Sequence, residues 1–292
     1  MIRSSIVRAF TLAAFTVLPA RSALAQSAPS AAPAVGAAAS AAPAADDDDD
    51  AVFRPAEPDF TLISLPTGLR LPLFKSEFRV THRFVRPLGS GDFGDLAGDA
   101  FGLDNGAQIG LEYRIGVVPN GQVGFHRTSD RTIEFFGEYG VARQRGALPV
   151  AISALVSVEG TNNFKDRHTP SLGAVVSRTF GERAAVYAEP IWIHDADLSA
   201  TPAGDANTFM VGLGARVRVR PTVYAVGEWA PRASGFRPGV AHHSFAIEKH
   251  LGGHMFQLNV SDSFATTMGQ IARGGRSGSD WYLGFNISRK FF

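Results

Sequence analysis

From Glu77 to the end of the chain, apolar and polar positions alternate with period two. That is the pattern of strands that present one face to an apolar medium and the other to a polar one. The run Asn207–Pro221 shows it most fully. Phe209, Val211, Leu213, Ala215, Val217 and Val219 fall on one side, and Thr208, Met210, Gly212, Gly214, Arg216, Arg218 and Arg220 on the other. Similar runs cover Glu77–Arg86, Ala107–Gly116, Gln122–Thr128, Thr132–Ala142, Val150–Glu159 and Ser171–Phe180. They continue in Ala184–His194, where Pro190 predicts a bulge, and in Val223–Trp229, Ser244–Leu251, His254–Phe264 and Trp281–Phe292. Most are as long as a tilted strand needs to be to cross a bilayer.

The connections alternate in length. Those at Pro119, Gly146, Gly181, Pro221 and Gly252 are short, and those around Asp95, Asn163, Ala200, Gly235 and Gly274 are long. The connection near Asp130 is short and breaks the alternation. About twelve strands, with short turns on one rim and long loops on the other, predict an all-β fold. It is a transmembrane, antiparallel, up-and-down β-barrel with both termini on the short-turn, periplasmic side.

The preceding residues change the picture only by adding a leader. Arg3 and Arg8, the apolar run Ala9–Leu18 and Ala23-Leu24-Ala25 form a secretory signal with cleavage before Gln26. Residues 26–50 are Ala/Pro/Ser-rich and end in the run Asp46–Asp50, a composition that predicts a disordered linker. Residues 51–76 carry Leu62, Leu65, Leu69, Leu71 and Leu73 between prolines, and read as either a periplasmic arm or a segment packed in the barrel mouth. The barrel domain is then 77–292.

Three of the 28 basic residues (Arg3, Arg8 and Arg21) lie in the leader, which holds no acid. The mature chain therefore has 25 basic against 27 acidic side chains, a net charge of −2, which argues against a nucleic-acid partner. Cysteine is absent, which removes disulfides, thiolate metal sites, a thiol nucleophile and lipoprotein anchoring.

Several short motifs are similar to a bacterial family of β-barrel proteins of unknown function. They are Val80-Thr81-His82-Arg83-Phe84, Phe101-Gly102-Leu103-Asp104, Ala230-Pro231-Arg232, Gly252-Gly253-His254-Met255-Phe256-Gln257 and Gly284-Phe285-Asn286-Ile287-Ser288-Arg289-Lys290-Phe291. The likeness runs from about Asp59 to Phe292. It implies a barrel and an envelope location, and it carries no functional residue with it. Phe292 also resembles the C-terminal aromatic that marks outer-membrane barrels for the assembly machinery. The apolar alternation of the last strand is in phase with Phe291 instead, so either ring is the candidate signal.

Strand phase places a set of charges in the lumen: Arg79, Arg83, Arg114, Arg216, Arg218 and Arg220 with Glu112, Glu134, Glu138, Glu159, Glu189, Glu228 and Glu248. Carboxylates at membrane depth need partners, and these arginines supply them. The expectation is a mixed-charge network meeting across a narrow barrel. A water-filled lumen that merely solvates the charges is the alternative.

Other motifs have plainer readings. Gly212-x-Gly214 lacks the third glycine and helix of a dinucleotide loop. Asp92, Asp95, Asp99 and Asp104 fit no calcium-loop spacing and read as a solvated outer loop. His242-His243 and His250…His254 lack a carboxylate at metal spacing. Asn286-Ile287-Ser288 is a glycosylation triplet within a strand of a bacterial protein. His82 shares the apolar phase of Phe78, Val80 and Phe84, yet Arg83-Phe84-Val85 follow it where outer-membrane phospholipase has its Ser and Asn companions.

No metal or cofactor is expected. The partners expected are outer-membrane lipids of a Gram-negative cell and the assembly machinery. Two function classes stand: a narrow or gated small-solute channel or structural barrel, and an enzyme acting on lipid or lipopolysaccharide. An enzyme needs a nucleophile and base converging at one interface, and no such pair is legible.

Residues 26–50 carry almost no apolar surface to bury. A chain starting at Ala51 should therefore still assemble, as read by heat-modifiable migration in detergent gels. Failure of that truncation to fold would show that the segment is structural.

Overall fold

The computed structural model describes residues 56–198, 207–275 and 277–292. The expected leader (1–25), the expected linker (26–50) and residues 51–55 lie outside them. Thirteen strands form one antiparallel sheet: β1 (Ser76–Pro87), β2 (Ala107–Val118), β3 (Gly121–Thr128), β4 (Ile133–Ala142), β5 (Ala151–Gly160), β6 (Asp166–Phe180), β7 (Ala184–Ile193), β8 (Thr208–Arg220), β9 (Val223–Ala230), β10 (Arg232–Gly235), β11 (His242–Leu251), β12 (His254–Ser261) and β13 (Tyr282–Phe291). Twelve close into a barrel, because β1 pairs with β13 and β8 with β9; the four-residue β10 only extends one loop by pairing with β8. Closure leaves no strand edge unpaired, which is the condition for strands to sit in lipid. No helix among the described residues is long and apolar enough to cross a membrane.

The alternation on which the strands rest is visible in exposure. Along β8, Phe209, Leu213, Val217 and Val219 face out, and Met210 and Arg216 are fully buried in the interior. Trp192 and Trp229 are exposed at the long-loop ends of β7 and β9, and Phe180 and Phe291 at the short-turn ends of β6 and β13. Aromatic rings at both ends of the outer wall are the girdles expected at two membrane interfaces. Ser76 pairs with Phe291, so the start of β1 and the C-terminus share the short-turn rim.

Two details differ from the alternation reading. β6 begins at Asp166, not Ser171, and stays paired with β5 through Gly160↔His168. Its Asp-Arg-His-Thr-Pro start shows no apolar alternation because neither face there meets lipid. Pro190 produces no bulge. The ladder to β6 is interrupted between Gly173↔Ile191 and Val176↔Ala188, where proline has no N–H to give, but the register is unchanged.

The interior is filled. Residues 56–71 enter at the short-turn rim, where the Pro58 carbonyl accepts from Lys290 Nζ (2.5 Å), turn at Leu62–Leu65, and return to the same rim. Leu62 N–H donates to the Leu65 carbonyl (2.8 Å) and Thr67 N–H to the Phe60 carbonyl (2.9 Å), so the segment is a hairpin closed on itself. Of the two readings of this stretch, the structure selects the lumen segment. From the opposite rim the β12–β13 connection folds inward with a short helix, Met268–Arg273, whose Met268, Ile271 and Ala272 are buried. The two meet where Ser64 Oγ donates to the Ala265 carbonyl (3.0 Å). Around them Leu62, Ile63, Leu65, Leu155, Val175, Ile191 and Met210 form an apolar cluster inside the barrel.

Small residues on the inner wall make room for the hairpin. A Cβ built on Gly214 would lie 2.1 Å from Leu62 Cδ1, and one on Gly116 would lie 2.2 Å from the Pro72 carbonyl oxygen. Gly214→Val should therefore force the hairpin off the wall and cost about 1–3 kcal/mol as overpacking. Outward-facing Gly137 is the control, since its added methyl meets nothing closer than 3.5 Å. The denaturation temperature in detergent, read from gel migration, should fall for Gly214→Val and hold for Gly137→Ala.

Candidate functional site

The hairpin backbone lacks a sheet partner for most of its length, and a buried backbone group left unpaired is costly. Side chains of the wall supply the partners. The Glu228 carboxylate accepts from three consecutive N–H groups at the hairpin tip, Ile63 (3.1 Å), Ser64 (3.0 Å) and Leu65 (3.1 Å). Successive N–H groups turned to one point form a concave anion site, here occupied by the protein's own carboxylate. Glu228 also accepts from Ser244 Oγ (2.8 Å) and meets His242 Nε2 (3.2 Å), whose Nδ1 meets Asp262 Oδ1 (2.9 Å).

The carbonyls of the hairpin are met by donors. Arg216 Nη2 donates to the Thr61 carbonyl (2.6 Å), Gln257 Nε2 to Leu62 (2.8 Å) and Asn286 Nδ2 to Ile63 (3.0 Å), and Arg79 Nη2 also reaches Ile63. Nearer the rim, Gln122 accepts from Leu71 N–H (3.2 Å) and donates to the Leu69 carbonyl (3.3 Å). Asp59 lies between Ser288 (3.3 Å) and Lys290 (3.7 Å). Burial alone would push its carboxyl up; Lys290, His250 and Arg216 outweigh that and hold it below the ordinary carboxylate range.

Eleven of the thirteen charges that strand phase assigned to the lumen are buried there: Arg79, Arg83, Glu112, Arg114, Glu134, Glu138, Glu159, Glu189, Arg216, Glu228 and Glu248. They do not meet across an empty barrel. Arg216 pairs with Glu248 (2.6 Å), and Arg79 with Glu112 (3.2 Å), on neighbouring or near-neighbouring strands; beyond that, the charges reach the hairpin and the inward loop. Arg114 joins Glu112 and lies 5.5 Å over the Phe60 ring. Glu159 accepts from Thr267 Oγ1 (2.5 Å), Gln270 N–H (3.2 Å) and Arg273 (2.5 Å) of the loop, and Glu134 from Met268 N–H (3.2 Å).

Arg218 and Arg220 are corrections. Arg218 is partly exposed and pairs with Glu182 of the adjoining turn (3.3 Å), and Arg220 is exposed at the strand end. Their alternation with valines is real, but the strand has left the lumen by that height.

Arg79, Arg83 and Arg114 stand on β1 and β2 with Glu77 and Glu112 among them; Glu134, Glu138, Glu159 and Glu189 stand on β4, β5 and β7. β7 lies diametrically across the twelve-strand ring from β1. Several of these groups are poorly served in the filled state. Both oxygens of Glu189, with Nε and Nη2 of Arg83, make no hydrogen bond to a described residue. A cavity of about 30 Å³ lies between the hairpin and the β2–β5 wall, edged by Thr61, Ser64, Glu112, His126, Glu134 and Glu138. It has room for one or two waters.

The other candidates take structural roles. Asp92 and Asp95 cap each other's backbone (3.0 Å each) at a short surface helix, and Asp99 pairs with Arg86 (2.6 Å). His82 is stacked on Phe285 at 4.6 Å on the outer wall. Phe291 faces outward as the last residue of β13, and Phe292 follows it, exposed. Among the described residues no group of three or more His, Asp or Glu could hold a metal ion. Sequence reasoning did not single out Gln122 and Lys290, weighed His242 only as a metal ligand and Asn286 only as a glycosylation triplet, although all four lie on the inward phase, and it missed the inward helix entirely.

The family model described as "Membrane bound beta barrel domain (DUF5777)" matches residues 71–291, so the chain belongs to that family. No curated protein matches it. Among solved structures, the NanC porin aligns at 9% identity over 74% of this chain and 99% of its own, with a TM-score of 0.46. The outer-membrane protein Omp33 of Acinetobacter baumannii aligns at 8% over 75% and 98% (TM-score 0.39). LpxR from Salmonella typhimurium aligns at 12% over 74% and 99% (TM-score 0.35).

Removing the carboxylate at Glu228 would strand three backbone donors and His242. Glu228→Ala should cost about 3–5 kcal/mol, the scale for leaving a buried charged partner uncompensated. It should also open residues 60–66 to protease in detergent, whereas Glu228→Gln keeps one acceptor oxygen and should do so less. Equal resistance in native and Glu228→Ala protein would show that the hairpin is held by something else.

Proposed function

We propose that this member of the membrane-bound β-barrel family is a gated conduit of the outer membrane for small polar solutes, held shut by its own N-terminal hairpin and by the β12–β13 loop. One observation carries the reading: the hairpin between Asp59 and Leu71 is bound to the wall mainly through side-chain contacts to its backbone and not by joining the sheet. A segment held in that way can leave without breaking the barrel, and backbone pairing with the wall begins only at the rim, where Phe74 N–H donates to the Gly116 carbonyl (2.8 Å).

Electrostatics favours a second, hydrated state. Glu189 and Arg83 are buried with hydrogen-bonding atoms unserved, and each such group carries a desolvation cost that water would relieve. A wall of three arginines and two carboxylates on β1 and β2, facing the four carboxylates of β4, β5 and β7, would then line the path and set a field across it for a dipolar or zwitterionic solute. His82 lends the lipid-enzyme alternative nothing, because it stacks on Phe285 on the outer wall.

The absence of cysteine gives a clean test. A Cβ built on Gly68 lies 3.7 Å from Ser177 Cβ, within the span of a disulfide. In planar bilayers the native protein should show brief openings from a closed baseline. The oxidised Gly68→Cys, Ser177→Cys variant should stay closed, and reductant should restore the openings. Openings that persist in the oxidised variant would remove the hairpin as the gate, and a native barrel that never conducts would leave a structural role.

A further inference from the structure

The two rims differ in charge. On the long-loop rim, basic side chains are interleaved with Asp92, Asp99, Asp130, Asp166 and Asp195. On the short-turn rim, Arg143, Arg145, Arg183 and Arg220 stand on or beside the turns, and among the described residues Glu182 is the exposed acidic side chain there. Three more cations, Arg178, Lys249 and Arg289, are exposed at the short-turn ends of β6, β11 and β13, and their phase is outward, the phase of Val176, Ile247 and Ile287. They belong to the lipid-facing wall and not to the lumen.

Each of the three stands with an exposed aromatic ring. Arg178 lies 5.1 Å over Phe180 and Arg289 5.6 Å over Phe291, and Lys249 is directly opposite Phe256 in the β11–β12 register. Phe180 and Phe291 lie two residues nearer the rim than Arg178 and Arg289, and Phe256 is level with Lys249, so rings and cations share one interfacial band along which long cationic side chains extend to the headgroups. On β11–β13 the cations join into one patch. Arg289 Nη1 meets His254 Nε2 at 2.6 Å, and the His254 ring stacks 6.2 Å from Phe256, the partner of Lys249. Beside the patch, a depression of about 420 Å³ runs from His254 over Gly252 and Gly253 to Phe292.

We infer that this patch, Lys249, His254 and Arg289 with Phe256 and Phe291 beside them, is a binding site for the phosphodiester headgroup of an anionic phospholipid in the leaflet at the short-turn rim. The guanidinium fork and the ammonium supply donors matched to phosphate oxygens, and the flanking rings accept the upper acyl methylenes. Among the described side chains of the rim Glu182 is the one exposed acid, on the β6–β7 turn away from the patch, so cations outnumber acids there. An electrically neutral, zwitterionic headgroup brings a second cation into the same place and is disfavoured. The inference rests on the membrane-bound barrel and is independent of whether the lumen conducts.

The test uses the full chain, purified in detergent, stripped of lipid and titrated separately with phosphatidylglycerol and phosphatidylcholine. Bound lipid is counted by native mass spectrometry. The native protein should retain phosphatidylglycerol preferentially, and the preference should fall about fivefold per rim charge removed, about 25-fold in Lys249→Gln, Arg289→Gln. Heat-modifiable migration establishes that the variant is folded. If it is not, the single variants, with Arg127→Gln on the opposite rim as control, carry the same comparison.

Equal retention of the two lipids by native protein would overturn the inference, as would a preference untouched in the folded variants. Displacement of phosphatidylglycerol by millimolar inorganic phosphate would overturn the lipid as ligand, leaving an adventitious phosphate site. The acidic run Asp46–Asp50 precedes Ala56 by six residues in the sequence and is the competing occupant. If selectivity emerges only in a chain starting at Ala51, that run holds the patch and the lipid assignment fails; equal selectivity in both chains supports it.

Discussion

The carboxylate of Glu228 satisfies three backbone donors at a point where no strand can reach them, and the filled lumen depends on it. Inside a closed barrel the wall strands have spent their N–H and C=O groups on one another, so a segment entering the lumen finds no ladder to join. Its backbone must be met by side chains, and those must be long, polar and inward-facing. Glu228, Arg216, Gln257, Asn286 and Arg79 meet these requirements around residues 61–65. A charge that would be expensive alone in the barrel is thus stabilised by the hairpin, and the hairpin by the charge.

The interior consequently has two kinds of contact. Near the short-turn rim the hairpin is held by polar groups, with Asp59, Lys290 and Gln122 as the outermost. Towards the long loops the wall turns apolar inward, with Leu155, Ile191 and Met210, and there Met268 and Ile271 of the loop complete the packing. Each fully buried side chain of this size contributes about 1.5–3 kcal/mol, which the loop would lose on leaving. The hairpin buries Phe60, Leu62, Ile63, Leu65, Leu69 and Leu71 as well, so its release costs at least as much apolar burial as the loop's, on top of hydrogen bonds worth about 0.5–1.5 kcal/mol each over their hydrated alternatives. What distinguishes the hairpin is that its departure breaks no strand ladder, since side chains and not a strand meet its backbone.

Strand phase made the wall legible because lipid enforces it: an arginine turned outward at mid-depth is costly, so alternation places Arg79, Arg114 and Arg216 inside without a structure. The same rule lapses near the rims, which is why Arg218 and Arg220, next to Pro221, are not lumen groups. The contents of the lumen were less legible. Residues 56–75 show neither period, because a hairpin bonded to side chains has no regular face, and Met268–Arg273 is too short for a helical period to appear. A signal did exist in the wall. Met210, Leu155, Val175 and Ile191 are apolar on the inward phase, which a water-filled lumen would penalise, and glycines at 212 and 214 clear a space that solvent alone would not need.

The groups left unserved then acquire a meaning. A lumen selected only for permanent closure would be expected to replace Glu189 with an apolar residue, because a buried carboxylate without partners weakens the closed state and gives nothing in return. Its place opposite β1, where Arg79 and Arg83 stand, is intelligible if water reaches it in another state of the same barrel. The other carboxylates of β4 and β5 make the contrast. Glu134 and Glu159 are met by the inward loop and Glu138 by Gln122 of the wall, whereas Glu189 on β7 has no hydrogen-bond partner among the described residues, which singles it out as the group that water would serve.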